Sequence, residues 1–252
     1  MDTSVKALIV DNLSKNFGGL LALDRVSLQL EPGERRALIG PNGAGKTTLF
    51  HLISGALSSS EGRIHLFGND ATNMPIHRRA ALGLARTFQI TNLFSNLTLK
   101  KNLLLAAQGL TRTKFSLLRP MSSYKSMHSR VDELLETWDL GNEADTVVRN
   151  LSYGTQRRVE ILLALIQQPK LLLLDEPTGG LSPAETVAAS NMIRRLPEDI
   201  TVLLIEHDMD VALDLVQSVT VLHLGQVLAD GPRDAVKADA RVQEIYLGTQ
   251  ET

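Results

Sequence analysis

Cysteine is missing from all 252 residues. Disulfides, thiolate metal sites and cysteine nucleophiles are excluded together. No charge dominates either: 26 lysines and arginines face 28 aspartates and glutamates, a formal net charge of −2. A global basic field of the kind that gathers nucleic acid is therefore absent. A membrane-spanning helix needs roughly 18 or more consecutive apolar residues. The longest candidates, residues 161–166 and 170–174, have only the length of core segments. The opening stretch Met1–Lys6 has neither a basic leader nor a long apolar region, so no secretory signal is expected. Such a chain is expected to stay where it is made and to meet a membrane through a partner. Internal repeats and low-complexity tracts are also missing. Apolar residues at 43%, with 18 glycines added, reach roughly half, the range of ordinary soluble domains, which argues against disorder. The length suits one large α/β domain, or one domain with an inserted lobe.

The first third reads as short β-type runs, Ala7–Val10, Val26–Leu30 and Arg36–Ile39, parted by Gly- and Pro-containing turns. Glu61–Phe67 alternates polar and apolar residues, as a strand with one exposed face does. After Ile39 comes a Gly-rich loop, then helical apolar spacing over Lys46–Gly55. From about residue 89 to 168 the β-type runs vanish. Leu99–Gln108, Met127–Trp138 and Gln156–Gln168 carry apolar residues at three-to-four spacing instead. This predicts a helical lobe inserted into a sheet domain made of residues 1–88 and 169–252. Leu171–Leu174 and Val202–Ile205 return as continuously apolar runs, as buried parallel strands do. Each precedes a helical stretch, Pro183–Leu196 and Asp208–Val216, so a parallel sheet covered on both faces is expected, with its site at the strands' C-terminal ends. Val219–Leu224 and Gln226–Ala229 predict a hairpin turning at Gly225.

Two motifs carry chemistry. Gly40-Pro41-Asn42-Gly43-Ala44-Gly45-Lys46-Thr47-Thr48 satisfies G-x-x-x-x-G-K-[ST], after a predicted strand and opening a predicted helix. Glycines let backbone N–H groups turn inward around phosphate oxygens, and the helix N-terminus adds the positive end of its dipole. Lys46 then reaches the β- and γ-phosphates, and the Thr47 hydroxyl holds Mg²⁺. Farther on, four apolar residues run into Asp175 and Glu176. Asp175 at a strand tip orients Mg²⁺ through its water shell, and Glu176, pointing to the other side of the strand, polarises the attacking water. Alone, such a pair also suits an exposed turn; beside a phosphate loop, the metal-and-water reading uses both acids.

Between these motifs lies Leu151-Ser152-Tyr153-Gly154-Thr155-Gln156-Arg157-Arg158-Val159-Glu160. With Gly40–Thr48 before it and Leu171–Pro177 after it, this segment resembles the nucleotide-binding subunit of ABC transporters. P-loop proteins in general lack it, and the resemblance covers nearly the whole chain. It implies a P-loop ABC ATPase fold with a mixed or parallel sheet core, an N-terminal antiparallel β portion and an inserted helical lobe. It also implies roles. Phe17 stacks on adenine, Gln89 contacts Mg²⁺ and the attacking water, Glu176 is the general base, and His207 contacts the γ-phosphate. Ser152, Gly154 and Gln156, with Ser182, complete the ATP site of an opposite subunit. ATP and Mg²⁺ are the implied cofactors. The implied partners are a second ABC ATPase, identical or different, transmembrane permease subunits and a solute-binding protein, with no nucleic acid. The chain is then expected on the cytoplasmic face of the membrane.

Three positions depart from the commonest family pattern: Tyr153 for glycine, Thr155 for glutamine, and Ser182 for aspartate. They bear on hydrogen bonding across the subunits, not on nucleotide binding. Arg86-Thr87-Phe88-Gln89, Leu151–Gly154, Arg157–Ile161, Glu206-His207-Asp208-Met209 and Tyr246-Leu247-Gly248 together resemble the Liv-type ATPases of branched-chain amino acid importers. Urea or amide import and lipid export are the neighbouring cargo readings. An ABC ATPase that never meets a membrane is the reading of another class, against which stand the single cassette, the missing coiled coil and the missing basic surface. With the chain ending soon after Gly248, no separate C-terminal regulatory domain is expected. Gly109–Arg130 holds Arg112, Lys114, Arg119, Lys125 and Arg130 without a single acid. It reads either as a solvated loop or as a contact with anionic lipid.

Overall fold

The computed structural model describes residues 5–87, 93–109 and 125–247. Gln89, and the basic residues Arg112, Lys114 and Arg119, lie outside them. In chain order the described elements are β1 (Leu8–Phe17), β2 (Leu20–Leu30), β3 (Arg35–Ile39), α1 (Lys46–Ser54), β4 (Glu61–Leu66), β5 (Asn69–Asp70), α2 (Ile76–Leu82), β6 (Leu84–Arg86), α3 (Leu99–Gly109), α4 (Lys125–Thr137), α5 (Tyr153–Leu165), β7 (Leu171–Asp175), α6 (Pro183–Arg194), β8 (Thr201–Ile205), α7 (Met209–Leu215), β9 (Ser218–His223), β10 (Gln226–Pro232), α8 (Arg233–Lys237) and α9 (Ala240–Leu247). None of the described helices is long and apolar enough to cross a membrane.

The chain divides into two compact units. The first comprises Met1–Arg86, Lys170–Gly179 and Leu196–Thr252. It holds a six-stranded sheet in the order β10-β9-β3-β8-β7-β6 and a four-stranded sheet in the order β2-β1-β4-β5. Neighbours from β9 through β6 run parallel, β10 is antiparallel, and the four-stranded sheet is antiparallel throughout. Every residue of β7 and of β8 is buried, which is why both read as unbroken apolar runs. One core cluster joins Leu8 and Leu13 of β1, Leu28 and Leu30 of β2, Leu49 and Phe50 of α1, Leu173 of β7 and Ile205 of β8. The helix that opens at the phosphate loop is thereby fixed to both sheets.

Strand β1 is longer than its apolar alternation suggests. The pairing with β2 shifts register between Val10 and Leu13, and Asn12 takes a positive φ of 47°. The bulge resets the side-chain alternation, so Val10 and Leu13 both face inward although three residues apart. The short elements α2 and β6 were not expected from the sequence. Seven and three residues are too few to display a period.

The second unit comprises Thr87–Pro169 and Gly180–Arg195. In it α3 packs against α4 and α5, and α5 packs against α6. The sequence assigned residues 183–196 to the sheet domain as a covering helix; α6 instead belongs to the helical unit. Ala189, Met192 and Ile193 of α6 are buried, and at its start the Glu185 carboxylate accepts from the Gly154 amide at the start of α5. Of the basic segment, Arg130 on α4 spends its guanidinium internally, donating to the Ile166 carbonyl.

Candidate nucleotide site

Gly40 through Lys46 link the end of β3 to α1, and the loop's shape depends on glycine at two points. At Gly40, φ is 149° and an added Cβ would stand 2.1 Å from the Leu222 carbonyl oxygen. At Gly45, φ is 102° and a Cβ would meet Leu23 Cδ2 at 2.6 Å and the Ala22 carbonyl oxygen at 2.7 Å. The loop is thus pressed against β9 and β2 in a conformation that only glycine adopts freely. Its tip is braced as well. The Ala44 amide donates to the Pro41 carbonyl at 3.2 Å, and the Gly225 amide of the β9–β10 turn donates to the Ala44 carbonyl at 3.1 Å. Among the described residues, nothing lies within 4 Å of where a Cβ on Gly43 would be.

Lys46 is buried, and its Nζ donates to the Gly40 carbonyl at 2.6 Å and the Pro41 carbonyl at 2.9 Å. The ammonium therefore lies inside the curve of the loop. Burial holds its pKa below the usual lysine value, and the nearby Glu176 carboxylate works in the other direction. Asn42, Gly43 and Thr47 are exposed, so the Thr47 hydroxyl at the first turn of α1 is open to a ligand.

The acids stand at the C-terminal end of β7, as expected. Asp175 is 2% exposed and pairs with the Arg86 guanidinium of β6 at 2.7 Å. Glu176 does not continue the strand alternation. Its φ of 50° turns the backbone sharply, and its amide donates to the Ile205 carbonyl at 2.9 Å. The turn sends the Glu176 carboxylate to His207, with Oε1 2.6 Å from Nε2. Glu206, which was given no role from the sequence, locks this turn. Its Oε1 accepts from the Thr178 amide at 2.9 Å and from the Thr178 hydroxyl at 2.8 Å. Burial raises the Glu206 carboxyl above the ordinary glutamate value, partly offset by the Thr178 hydrogen bonds. Phe17 ends β1, 44% exposed, with Lys15 Nζ 5.0 Å from its ring centre. An exposed ring at the end of an antiparallel strand is available for stacking.

The remaining expected residues lie in the second unit. Ser152 caps α5, and its hydroxyl accepts from the Thr155 amide at 3.1 Å. The helix begins at Tyr153, three residues before the apolar spacing that starts at Gln156. Gln156 turns back to donate to the Leu151 carbonyl at 3.0 Å. Ser182 caps α6 in a reciprocal box with Glu185. Tyr153 stands over the Arg157 guanidinium, 5.2 Å from ring centre to Cζ. Arg157 in turn pairs with Glu160 at 2.9 Å, both buried.

The donors suit a magnesium nucleotide. Mg²⁺ prefers hard oxygen ligands and is commonly held by one or two carboxylates together with substrate phosphates. Thr47 and Asp175 are of that kind, and no group of three or more His, Asp or Glu that could cage an ion by itself occurs among the described residues. A strand, a glycine loop enclosing a lysine, a helix N-terminus and an acidic strand tip on a parallel sheet define a P-loop nucleoside triphosphatase.

Comparison with known proteins places the chain within that class. The ABC transporter family matches residues 23–179, and the family described as branched-chain amino acid ATP-binding cassette transporter matches residues 226–252. The high-affinity branched-chain amino acid transport ATP-binding protein LivG of Escherichia coli K12 is 38% identical over 96% of this chain and 97% of its own length. BraF of Pseudomonas aeruginosa, of the same description, is 37% identical over 96% and 97%. An ATP-binding cassette of an ABC transporter in its ADP conformation superposes with a TM-score of 0.86 at 31% identity, covering 96% of this chain and 99% of that one. A dimeric cassette in a post-hydrolysis state, bound to ADP and Pi, superposes at 0.75 with 26% identity, covering 90% and 98%. The chain belongs to the ATP-binding subunits of ABC transporters, and it is an ATPase.

Proposed function

We propose that this subunit powers the import of branched-chain amino acids through separate permease subunits, with a solute-binding protein delivering the cargo outside. The observation that carries the cargo is the match of residues 226–252 to the branched-chain family, supported by relatives that align over nearly their full length. The subunit then sits at the cytoplasmic face of the membrane, held by the permease.

Two such ATPases, alike or different, enclose ATP between them; the post-hydrolysis dimer of a similar cassette supports this arrangement. Residues 40–48 cradle the phosphates. Lys46 turns from the Gly40 and Pro41 carbonyls to the β- and γ-phosphates, and Phe17 stacks on adenine. Thr47, Asp175 and Gln89 are the residues that would hold Mg²⁺, whose charge offsets that of the phosphates. Glu176 takes a proton from the attacking water as its oxygen bonds to the γ-phosphorus and the β–γ bond breaks, leaving ADP and phosphate. His207, in contact with Glu176 Oε1, holds that carboxylate in place and donates towards the γ-phosphate. Ser152, Gly154, Gln156 and Ser182 serve the partner's ATP. Loss of the γ-phosphate removes the contact that distinguishes closed from open, so the pair separates.

The cargo is tested by deleting the gene in its native cells and following uptake of labelled leucine, isoleucine, valine and urea. Loss of the three amino acids with urea unchanged supports the assignment; loss of urea uptake alone overturns it.

A further inference from the structure

Gly154 is buried, although Ser152 and Tyr153 beside it are exposed. What covers it is the Glu185 side chain: a Cβ at Gly154 would stand 2.6 Å from both Cγ and Oε1 of Glu185. The carboxylate makes full use of its position. Oε1 accepts from the Gly154 amide at 3.0 Å and from the Ser152 hydroxyl at 3.4 Å. Oε2 accepts from the Ser182 hydroxyl at 2.8 Å and the Ser182 amide at 3.1 Å. Three of the residues assigned to the partner's ATP are thus already bonded to one anion of their own chain. The Ser182 hydroxyl, then the Ser182 and Gly154 amides, hold the Glu185 carboxyl below the ordinary glutamate value, so it is charged at neutral pH.

A carboxylate on an amide at a helix N-terminus makes the same kind of contact that a phosphate oxygen makes there. We infer that Glu185 is a further residue of the cross-subunit half-site: its carboxylate holds the Gly154 and Ser152 donors, and it must leave before the γ-phosphate of an opposing ATP can take them. The inference rests on the proposed role of Ser152 and Gly154. The side chain is only half-buried, so a path into solvent exists. ADP, which has no γ-phosphate, has nothing with which to displace it. Glu185 thereby sets a threshold against closure on anything but the triphosphate.

The test is the dimer dissociation constant of Glu176→Gln protein in saturating Mg-ATP, measured by light scattering across a concentration series. The same series is run for Glu176→Gln combined with Glu185→Gln and with Glu185→Ala. Binding of a fluorescent ATP analogue is read in parallel. Removing a like charge from the phosphate contact is expected to tighten the ATP dimer about tenfold in both double variants, with no dimer gained in ADP. Structural damage at Glu185 acts in the opposite direction and loosens the dimer, so folding loss cannot imitate the result. An equal or weaker dimer, or no dimer from any of the proteins while all bind the ATP analogue, overturns the role of Glu185. Failure of the Glu176→Gln protein itself to bind the analogue overturns the nucleotide-site reading on which it rests.

Discussion

Arg79 on α2 is 1% exposed and has no carboxylate partner among the described residues. Its guanidinium instead donates to four backbone carbonyls: Leu52 at 2.6 Å, Ile53 at 2.7 Å, Met74 at 2.8 Å and Thr72 at 3.2 Å. Leu52 and Ile53 belong to the last turn of α1, the helix that opens at the phosphate loop, and Gly55 is glycine where Arg79 passes, with a Cβ there 2.8 Å from Nε. Arg79→Met keeps the aliphatic stem and removes every donor. The Leu52 oxygen still accepts from the Gly55 amide, so the stranded acceptors are those of Ile53, Thr72 and Met74. Each buried acceptor without a partner costs about 1–3 kcal/mol. Relief from burying the guanidinium, worth several kcal/mol, offsets part of the sum. A net loss of about 3–4 kcal/mol remains, which for a chain of this size lowers Tm by about 10 °C. Thermal unfolding followed by circular dichroism reads it directly. A fall of less than about 2 °C would refute the claim that Arg79 fastens the far end of the phosphate-loop helix.

Three further outcomes are expected. Lys46→Ala should weaken ATP binding about 10- to 100-fold by titration calorimetry, the worth of hydrogen bonds from a charged donor; unchanged affinity would contradict the cradle. Gly45→Ala places a Cβ 2.6 Å from Leu23 Cδ2 at a φ of 102°, and should cost at least about 1–3 kcal/mol in urea unfolding together with ATP affinity. Burial raises the Glu206 carboxyl above its ordinary 4.5, so the folded state binds that proton more tightly than the unfolded state does. Stability should therefore fall as pH rises from about the ordinary value through the raised one. Glu206→Gln, which retains the acceptor for Thr178, should lessen that fall; identical pH slopes in urea unfolding would refute it.

The parts of the molecule legible in the sequence are those in which one local rule governs. The phosphate loop is a spacing of glycines and a lysine within a single turn of chain, and the buried strands at Leu171–Leu174 and Val202–Ile205 are plain apolar runs. Asp175 and Glu176 were read from their place at a strand end, although the sharp turn at Glu176, which delivers its carboxylate to His207, was not. What stayed hidden is set by partners remote in sequence. Arg86 meets Asp175 across 89 residues, Thr178 meets Glu206 across 28, and Gly154 meets Glu185 across 31. No periodicity announces such pairs. The buried face of α6, with Ala189, Met192 and Ile193, does not announce its partner either, so Pro183–Arg194 packs in the helical unit despite the alternating strand–helix order of a sheet cover.

The most direct test of ATP hydrolysis at this site compares the wild-type and Glu176→Gln proteins in Mg-ATP, reading bound nucleotide and phosphate release in the same samples. Retained ATP binding with turnover reduced about 10²- to 10⁴-fold is the outcome expected of a removed general base. Steady-state phosphate release near the wild-type rate from the Glu176→Gln protein would contradict it.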